Sequence, residues 1–503
     1  MDNKVQVLQL GSENWKEHYV IVDNMEWHYC ESYRSRDAKE YDLVILDREL
    51  TDEEVEPVKS VTKAHSIFAT DTAYGFSNTK SVCDYFMGQT IESTQIQKFL
   101  YQKAPFYFRN AYGTKISNEY ISVDVGYKGK ARWHGNVYLE LEGNFGDRMN
   151  QVLFWRKNTP ILRGQMVDLW LEYEKDDSVE VALEVIQFVK GSVDDMVSRT
   201  LYNESDMQEQ ILISNQSEED GMLFLAVHVK GKGKLRVKSL HTRISRNEEG
   251  QFLPGGQRFV LPGREEVFCY FNPGNWEPPL NVYFSGYKTW EGFEGYKMMK
   301  EFNGPFLLFT DSRLEGGNFY LGSDAYEKQI EEIIKHYIMM LGFYNNEMIF
   351  SGLSMGAFGA LYYGCKFLPD AFLLGIPLAS LGNVALNERM DRPGIFPTSL
   401  DVLLKNAKDT SPSSVAALNH KLWERFDEAD WSKTKFIISY MIEDDYDKDA
   451  YEQIINHLRS DGVHVYGRGI HGRHNDNTQE IMKWYTNQYV HILKEDFGRR
   501  VDY

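Results

Sequence analysis

The chain has 503 residues, more than a single hydrophobic core usually serves, so several domains are expected. A composition of 42% hydrophobic and 26% charged residues is that of a folded globular protein and excludes a disordered chain. The 74 acidic residues outnumber the 55 basic ones, for a net charge of −19, which repels phosphate backbones and argues against nucleic acid as a partner.

The N-terminus lacks a basic segment followed by an apolar core, and no stretch approaches the roughly 18 apolar residues that span a bilayer. A cytoplasmic protein is expected. Cys30, Cys83, Cys269 and Cys365 lie far apart with no CxxC pair, so neither a disulfide framework nor a zinc site is expected.

In chain order, residues 1–117 hold short apolar runs (Val5 to Leu10, Leu43 to Leu46, Ser66 to Ala69) between polar stretches, which predicts a small α/β unit. Gly11 stands alone after the first run, so no phosphate-cradling loop is present. Residues 118–250 switch to period-two alternation in many short runs, the pattern of an all-β sandwich or jelly roll. Trp133, Trp155 and Trp170 are candidates for stacking on sugar rings there, although filling the core is the commoner use of such residues. Residues 251–503 alternate apolar strands with periodic helices, as a mainly parallel sheet requires. Tyr326, Ile330, Ile333, Ile334, Tyr337, Ile338 and Leu341 share one helix face, with Ser323 or Asp324 placed to cap its start and Gly342 to end it. The fold class is α/β: a C-terminal α/β-hydrolase-like domain, a central β-sandwich and a small N-terminal α/β unit.

The chemistry centres on Gly352-Leu-Ser354-Met-Gly356, a G-x-S-x-G motif between a predicted strand and a predicted helix. Glycines allow a cramped turn that lifts a serine hydroxyl above the sheet. Serine becomes a nucleophile only when a histidine takes its proton, and the imidazole needs a carboxylate to orient it. In this fold the order is serine, acid, histidine. Downstream, the apolar run from Lys435 ends in Glu443-Asp444-Asp445, and the run from Val463 leads to His471 and His474. Asp444, about three residues past its strand, is the preferred acid, with Glu443 and Asp445 as alternatives. His474 is the preferred base and His471 the alternative. The oxyanion hole calls for the Met355 N–H and one from the loop after an early strand, where Gly286 would let backbone approach a substrate. No metal-ligand spacing, P-loop or flavin fingerprint appears.

Val282-Tyr-Phe-Ser-Gly-Tyr, Phe309-Thr-Asp-Ser-Arg-Leu-Glu-Gly-Gly-Asn-Phe-Tyr, Ser351-Gly-Leu-Ser-Met-Gly and Gly472-Arg-His-Asn-Asp together resemble the second accessory Sec-system protein family of Gram-positive cocci. The resemblance extends over essentially the whole chain. It implies O-acetylation of N-acetylglucosamine on serine-rich-repeat glycoprotein adhesins, and a part in their export. It implies as partners the other accessory Sec proteins, the accessory motor ATPase and channel, and the glycoprotein itself, with the chain peripheral to the membrane. It maps the triad onto Ser354, the acidic cluster and His474. No cofactor is implied, and the sequence does not name the acetyl donor. From the elbow alone a carbohydrate or acyl esterase would come first, and a non-enzymatic export scaffold is the third reading.

Overall fold

The structure is a computed structural model that describes residues 4–34, 39–109, 111–390, 399–407, 409–458 and 462–500. Near the N-terminus, β1 (Val5–Gly11), β2 (Met25–Cys30), β3 (Leu43–Asp47), β4 (Ile67–Thr70) and β5 (Gln89–Ile91) form a parallel sheet in the order β2-β1-β3-β4-β5. Val7, Leu43, Ile45 and Phe68 are buried towards one layer of packing, and Leu8, Val44, Leu46 and Ile67 towards the other, as strands covered on both faces require. This unit docks on the C-terminal part through His65 Nε2, 2.8 Å from the Phe271 carbonyl, and through Tyr85, whose carbonyl accepts from Trp276 Nε1.

The middle of the chain is antiparallel. Its main strands are β6 (Gly113–Ile116), β7 (Tyr138–Trp155), β8 (Met166–Lys175), β9 (Val179–Val189) and β10 (Gly221–Ile244). Instead of two separately laddered sheets, these strands form one hydrogen-bonded network that wraps a single apolar core. The 24-residue β10 pairs with β9 over its first half and with β8 and β6 over its second. The turn of the network falls at Gly231, where φ is +100°, the register shifts on either side and a Cβ would lie 2.1 Å from the Ser178 carbonyl oxygen. Trp155 and Trp170 are both fully buried, so neither is open to a sugar ring. Trp133, on the strand Lys130–His134, is exposed.

The C-terminal sheet contains β11 (Gln257–Val260), β12 (Glu266–Asn272), β13 (Leu280–Phe284), β15 (Phe306–Thr310), β16 (Met348–Leu353), β17 (Ala371–Gly375), β18 (Lys435–Met441) and β19 (His464–Ile470). The two-residue β14 (Trp290–Glu291) leaves it to pair with β6 of the middle sheet. The order is β11-β12-β15-β13-β16-β17-β18-β19, antiparallel at β11 and β12 and parallel beyond. Three helices matter for the site: α1 (Asp324–Leu341), α2 (Met355–Phe367) and α3 (Thr478–Glu495). Ser323 caps α1 by accepting from the Tyr326 N–H, and Gly342 at φ +72° ends it. One face of the sheet packs on α1 and α2, the other on α3.

The middle and C-terminal sheets meet across a buried charge network. Arg243 makes a two-pronged contact with Glu266 at 2.7 and 2.6 Å and donates from Nε to Glu291 at 2.5 Å. His241 lies between Glu291, 2.5 Å from Nδ1, and Glu172, 3.3 Å from Nε2. Burial opposes charge on His241, but the Glu291 and Glu172 carboxylates raise its pKa to about 9. Glu172, His241 and Glu266 are close enough together to ligate a cation, yet Glu266 is already held by the guanidinium groups of Arg243 and Arg258. All four cysteines are unbridged.

Candidate active site

β16 is buried along Met348–Gly352, as suits a central parallel strand, and turns into α2 at Ser354. Ser354 has φ +52° and ψ −115°, a conformation L-residues rarely adopt and one that a nucleophile elbow imposes. The sequence allows it because of its two glycines. A Cβ on Gly356 would lie 2.1 Å from the Phe284 carbonyl oxygen, and one on Gly352 would lie 2.3 Å from the Gly356 carbonyl carbon. The chain therefore packs α2 directly against the ends of β16 and β13, and the serine hydroxyl stands at the C-terminal rim of the sheet.

Ser354 Oγ and His474 Nε2 are 2.8 Å apart, and His474 Nδ1 is 2.8 Å from Asp444 Oδ2. His474 and Asp444 are both buried, while Ser354 is partly open. The acid follows β18 and the histidine follows β19, so three loops from one sheet edge converge. The second Asp444 oxygen accepts the backbone N–H groups of Tyr446 at 2.7 Å and Asp447 at 3.2 Å, which fixes the carboxylate in its turn. Asp447 accepts from the N–H groups of Ala379 and Ser380, tying this turn to the loop after β17. The Tyr446 ring lies parallel to the His474 imidazole, with centroids 4.1 Å apart.

The neighbouring acids do other things. Glu443 accepts from the Gly472 N–H at 2.6 Å and pairs with His471 Nδ1 at 2.9 Å, and these two contacts lower its pKa. His471 is 84% exposed and does not reach Ser354. Asp445 accepts the His474 backbone N–H at 3.2 Å.

The Met355 N–H lies at the start of α2, where unpaired helical donors gather. Gly286, expected to supply an oxyanion-hole donor, lies two residues past β13, and its N–H donates to Glu294 Oε2 at 2.7 Å. That contact closes the loop 286–294 at its base and directs this donor to a carboxylate. The sequence reading missed Tyr446, Asp447 and Glu294. A Tyr five residues past a strand end carries no motif, and the Gly286–Glu294 contact depends on how the loop returns. As an arrangement, a hydroxyl, an imidazole and a buried carboxylate in series can move a proton off serine and handle an acyl group.

A model of the family described as Asp2, accessory Sec system GspB-transporter, matches residues 5–499. The accessory Sec system protein Asp2 of Streptococcus gordonii is 36% identical over 511 residues, spanning 99% of this chain and 100% of that one. The protein of the same name from Staphylococcus aureus is 34% identical over 516 residues, spanning 99% and 98%. Among solved structures, a chain of the Glycosylation Associate Protein (Gap123) complex from Streptococcus agalactiae matches with a TM-score of 0.89 at 34% identity, covering 99% of each chain. Among the described residues no helix is long and apolar enough to cross a membrane. The chain belongs to the Asp2 family of the accessory Sec system.

Proposed function

We propose that this accessory Sec protein is a serine-triad O-acetyltransferase that modifies N-acetylglucosamine on the serine-rich-repeat glycoprotein it helps to export. The observation that carries this reading is the unbroken series Ser354 Oγ, His474 Nε2, His474 Nδ1 and Asp444 Oδ2, with both contacts at 2.8 Å. Ser354 attacks the acetyl carbon as His474 takes its proton, and Asp444 holds the imidazole and offsets its charge. The charge developing on the carbonyl oxygen meets the Met355 N–H, with Gly286 joining once Glu294 withdraws. The bond from the acetyl carbon to the donor's leaving group breaks, and that group departs with the His474 proton. A sugar hydroxyl then attacks the acetyl-serine, its proton passing to His474 and on to the Ser354 oxygen as the acetyl–serine bond breaks. Transfer prevails over hydrolysis when the sugar is held and water kept away.

The reaction takes place in company. The relative from S. agalactiae was solved as the Gap123 complex, which supports assembly of this chain with other accessory Sec proteins. Contact with the motor ATPase and channel would keep a chain of this kind at the membrane surface.

The test is made in cells carrying Ser354→Ala or His474→Ala, by measuring the acetyl content of the exported glycoprotein together with the amount exported. Acetylation lost while export continues supports the enzyme. Unchanged acetylation refutes it.

A further inference from the structure

Buried polar groups in folded proteins nearly always find a partner, so an orphan near a reaction centre calls for an explanation. Three such orphans lie on elements at, or paired with, the sheet edge that carries Ser354. Lys288 is on the loop leaving β13, two residues past Gly286, and Ser312 is on the loop leaving β15. β13 lies between β15 and β16 in the parallel ladder, so both loops open at the same edge of the sheet as the serine. Lys115 comes from the middle sheet, on β6, whose partner β14 belongs to the same loop as Lys288. Lys115 Nζ, Lys288 Nζ and Ser312 Oγ are shielded from solvent and have no hydrogen-bond partner among the described residues.

The pairing of Thr114 with Trp290 brings the segments that carry Lys115 and Lys288 side by side, and Asp311 favours the charge of both lysines. The nearby carboxylates are engaged elsewhere. Glu291 is held by His241 and Arg243, Asp311 by Arg313, and Glu294 by the Gly286 N–H. What Lys288 does touch is the face of Trp290, with Nζ 4.9 Å from the ring centroid. Neither lysine thus has a direct acceptor among the described residues, although Glu291, Asp311 and Glu294 act on them through space, in a chain whose net charge is −19.

We propose that Lys115 and Lys288, with Ser312, form an anion subsite beside the triad that binds a phosphate group carried by the acetyl donor. Two ammonium groups and a hydroxyl match the acceptor oxygens of a phosphate. The anion belongs to the donor because both acceptors, a sugar hydroxyl and water, are neutral. The subsite also offsets the repulsion that so acidic a protein exerts on an anionic substrate. Burial pulls both lysines down, Lys288 to about 7 against the influence of Glu294, and an arriving phosphate restores their charge.

The inference rests on acylation of Ser354. In that step the Oγ bonds to the acetyl carbon and its proton passes to His474. The bond from that carbon to the leaving sulfur or phosphate oxygen breaks, and its electron pair and the His474 proton depart with the leaving group. A phosphate-bearing thioester and an acyl phosphate share this chemistry.

The test uses acetyl-coenzyme A, acetyl phosphate and the neutral ester p-nitrophenyl acetate as probes of the full chain. On Ser354→Ala protein, Lys288→Met and Lys115→Met should each weaken calorimetric binding of the phosphate-bearing donor about tenfold or more, and Lys288→Arg should restore much of it. On protein with Ser354 intact, the same Met variants should lower kcat/KM for that donor relative to the neutral ester. Whether acetyl-coenzyme A or acetyl phosphate shows the effect identifies the source, and either supports the subsite. An unchanged ratio in both Met variants, or binding of neither donor by Ser354→Ala protein, overturns it even if p-nitrophenyl acetate acetylates Ser354. Lysine-dependent binding with no acetyl-Ser354 from any donor keeps the anion site and refutes the acyl-carrier reading.

Discussion

Tyr446 lies flat on the imidazole of His474, the two rings parallel and their centroids 4.1 Å apart. The contact joins the acid loop to the base loop, since Tyr446 also donates its backbone N–H to Asp444. Tyr446→Ala removes the surface that sets the ring plane and should lower kcat for ester turnover about tenfold, whereas Tyr446→Phe, which keeps the ring, should stay near the unsubstituted protein. Steady-state kinetics with p-nitrophenyl acetate, alongside circular dichroism to check folding, measures both. A Phe variant as impaired as the Ala variant would show that the hydroxyl, not the stacking, matters.

Asp444 and Glu443 are adjacent, yet only Asp444 meets His474 Nδ1. Asp444→Asn leaves the imidazole without its charged partner and should reduce turnover about a thousandfold or more. Glu443→Gln weakens only the exposed contacts with His471 and the Gly472 N–H and should leave turnover close to normal. The reverse order of severity would transfer the orienting role to Glu443.

Arg243 is fully buried between Glu266 and Glu291. Arg243→Met strands two carboxylates in the interior and should destabilise the protein by about 3–5 kcal/mol. Denaturant melts with separate reporters in the middle and C-terminal sheets would detect both the loss and any uncoupling of the two.

His241 belongs to the same network. Its folded pKa, raised to about 9, lies above the ordinary value of 6.5. The stability it contributes is therefore complete below about pH 6.5 and is lost as pH rises through about 9. Denaturation midpoints should fall between pH 7 and pH 10, and His241→Gln should flatten that fall.

Gly356 has no room for a side chain, since a Cβ would meet the Phe284 carbonyl oxygen at 2.1 Å. Gly356→Ala should cost about 1–3 kcal/mol and move Ser354, lowering activity more than the thermal midpoint alone would explain. Full activity in this variant would mean the elbow tolerates displacement.

Legibility in the sequence follows the distance along the chain over which each feature is decided. The elbow can be read directly because strand, Gly352, Ser354, Gly356 and helix are contiguous, and the capped, periodic face of α1 is local for the same reason. Choosing among Glu443, Asp444 and Asp445 cannot be done by spacing, because the turn that presents Asp444 is held by N–H groups beyond it and by Ala379 and Ser380 from another loop. Alternating residues announce the β region, but not that Gly231 bends a 24-residue strand so that one ladder encloses the core. Trp155 and Trp170 look no different in sequence from Trp133, since burial depends on which strands cover them. Lys115 and Lys288 are 173 positions apart and come near each other only through the pairing of β6 with β14.

The most direct measurement is mass spectrometry of the intact protein, quenched after mixing with an acetyl donor and followed by peptide mapping. One acetyl group on Ser354, absent from Ser354→Ala, accumulating in His474→Ala no faster than background and discharged by an N-acetylglucosamine acceptor, is the expected result. A donor consumed with no acetyl group ever found on Ser354, or an acetyl-serine that only water and never the sugar removes, would contradict the acetyltransferase.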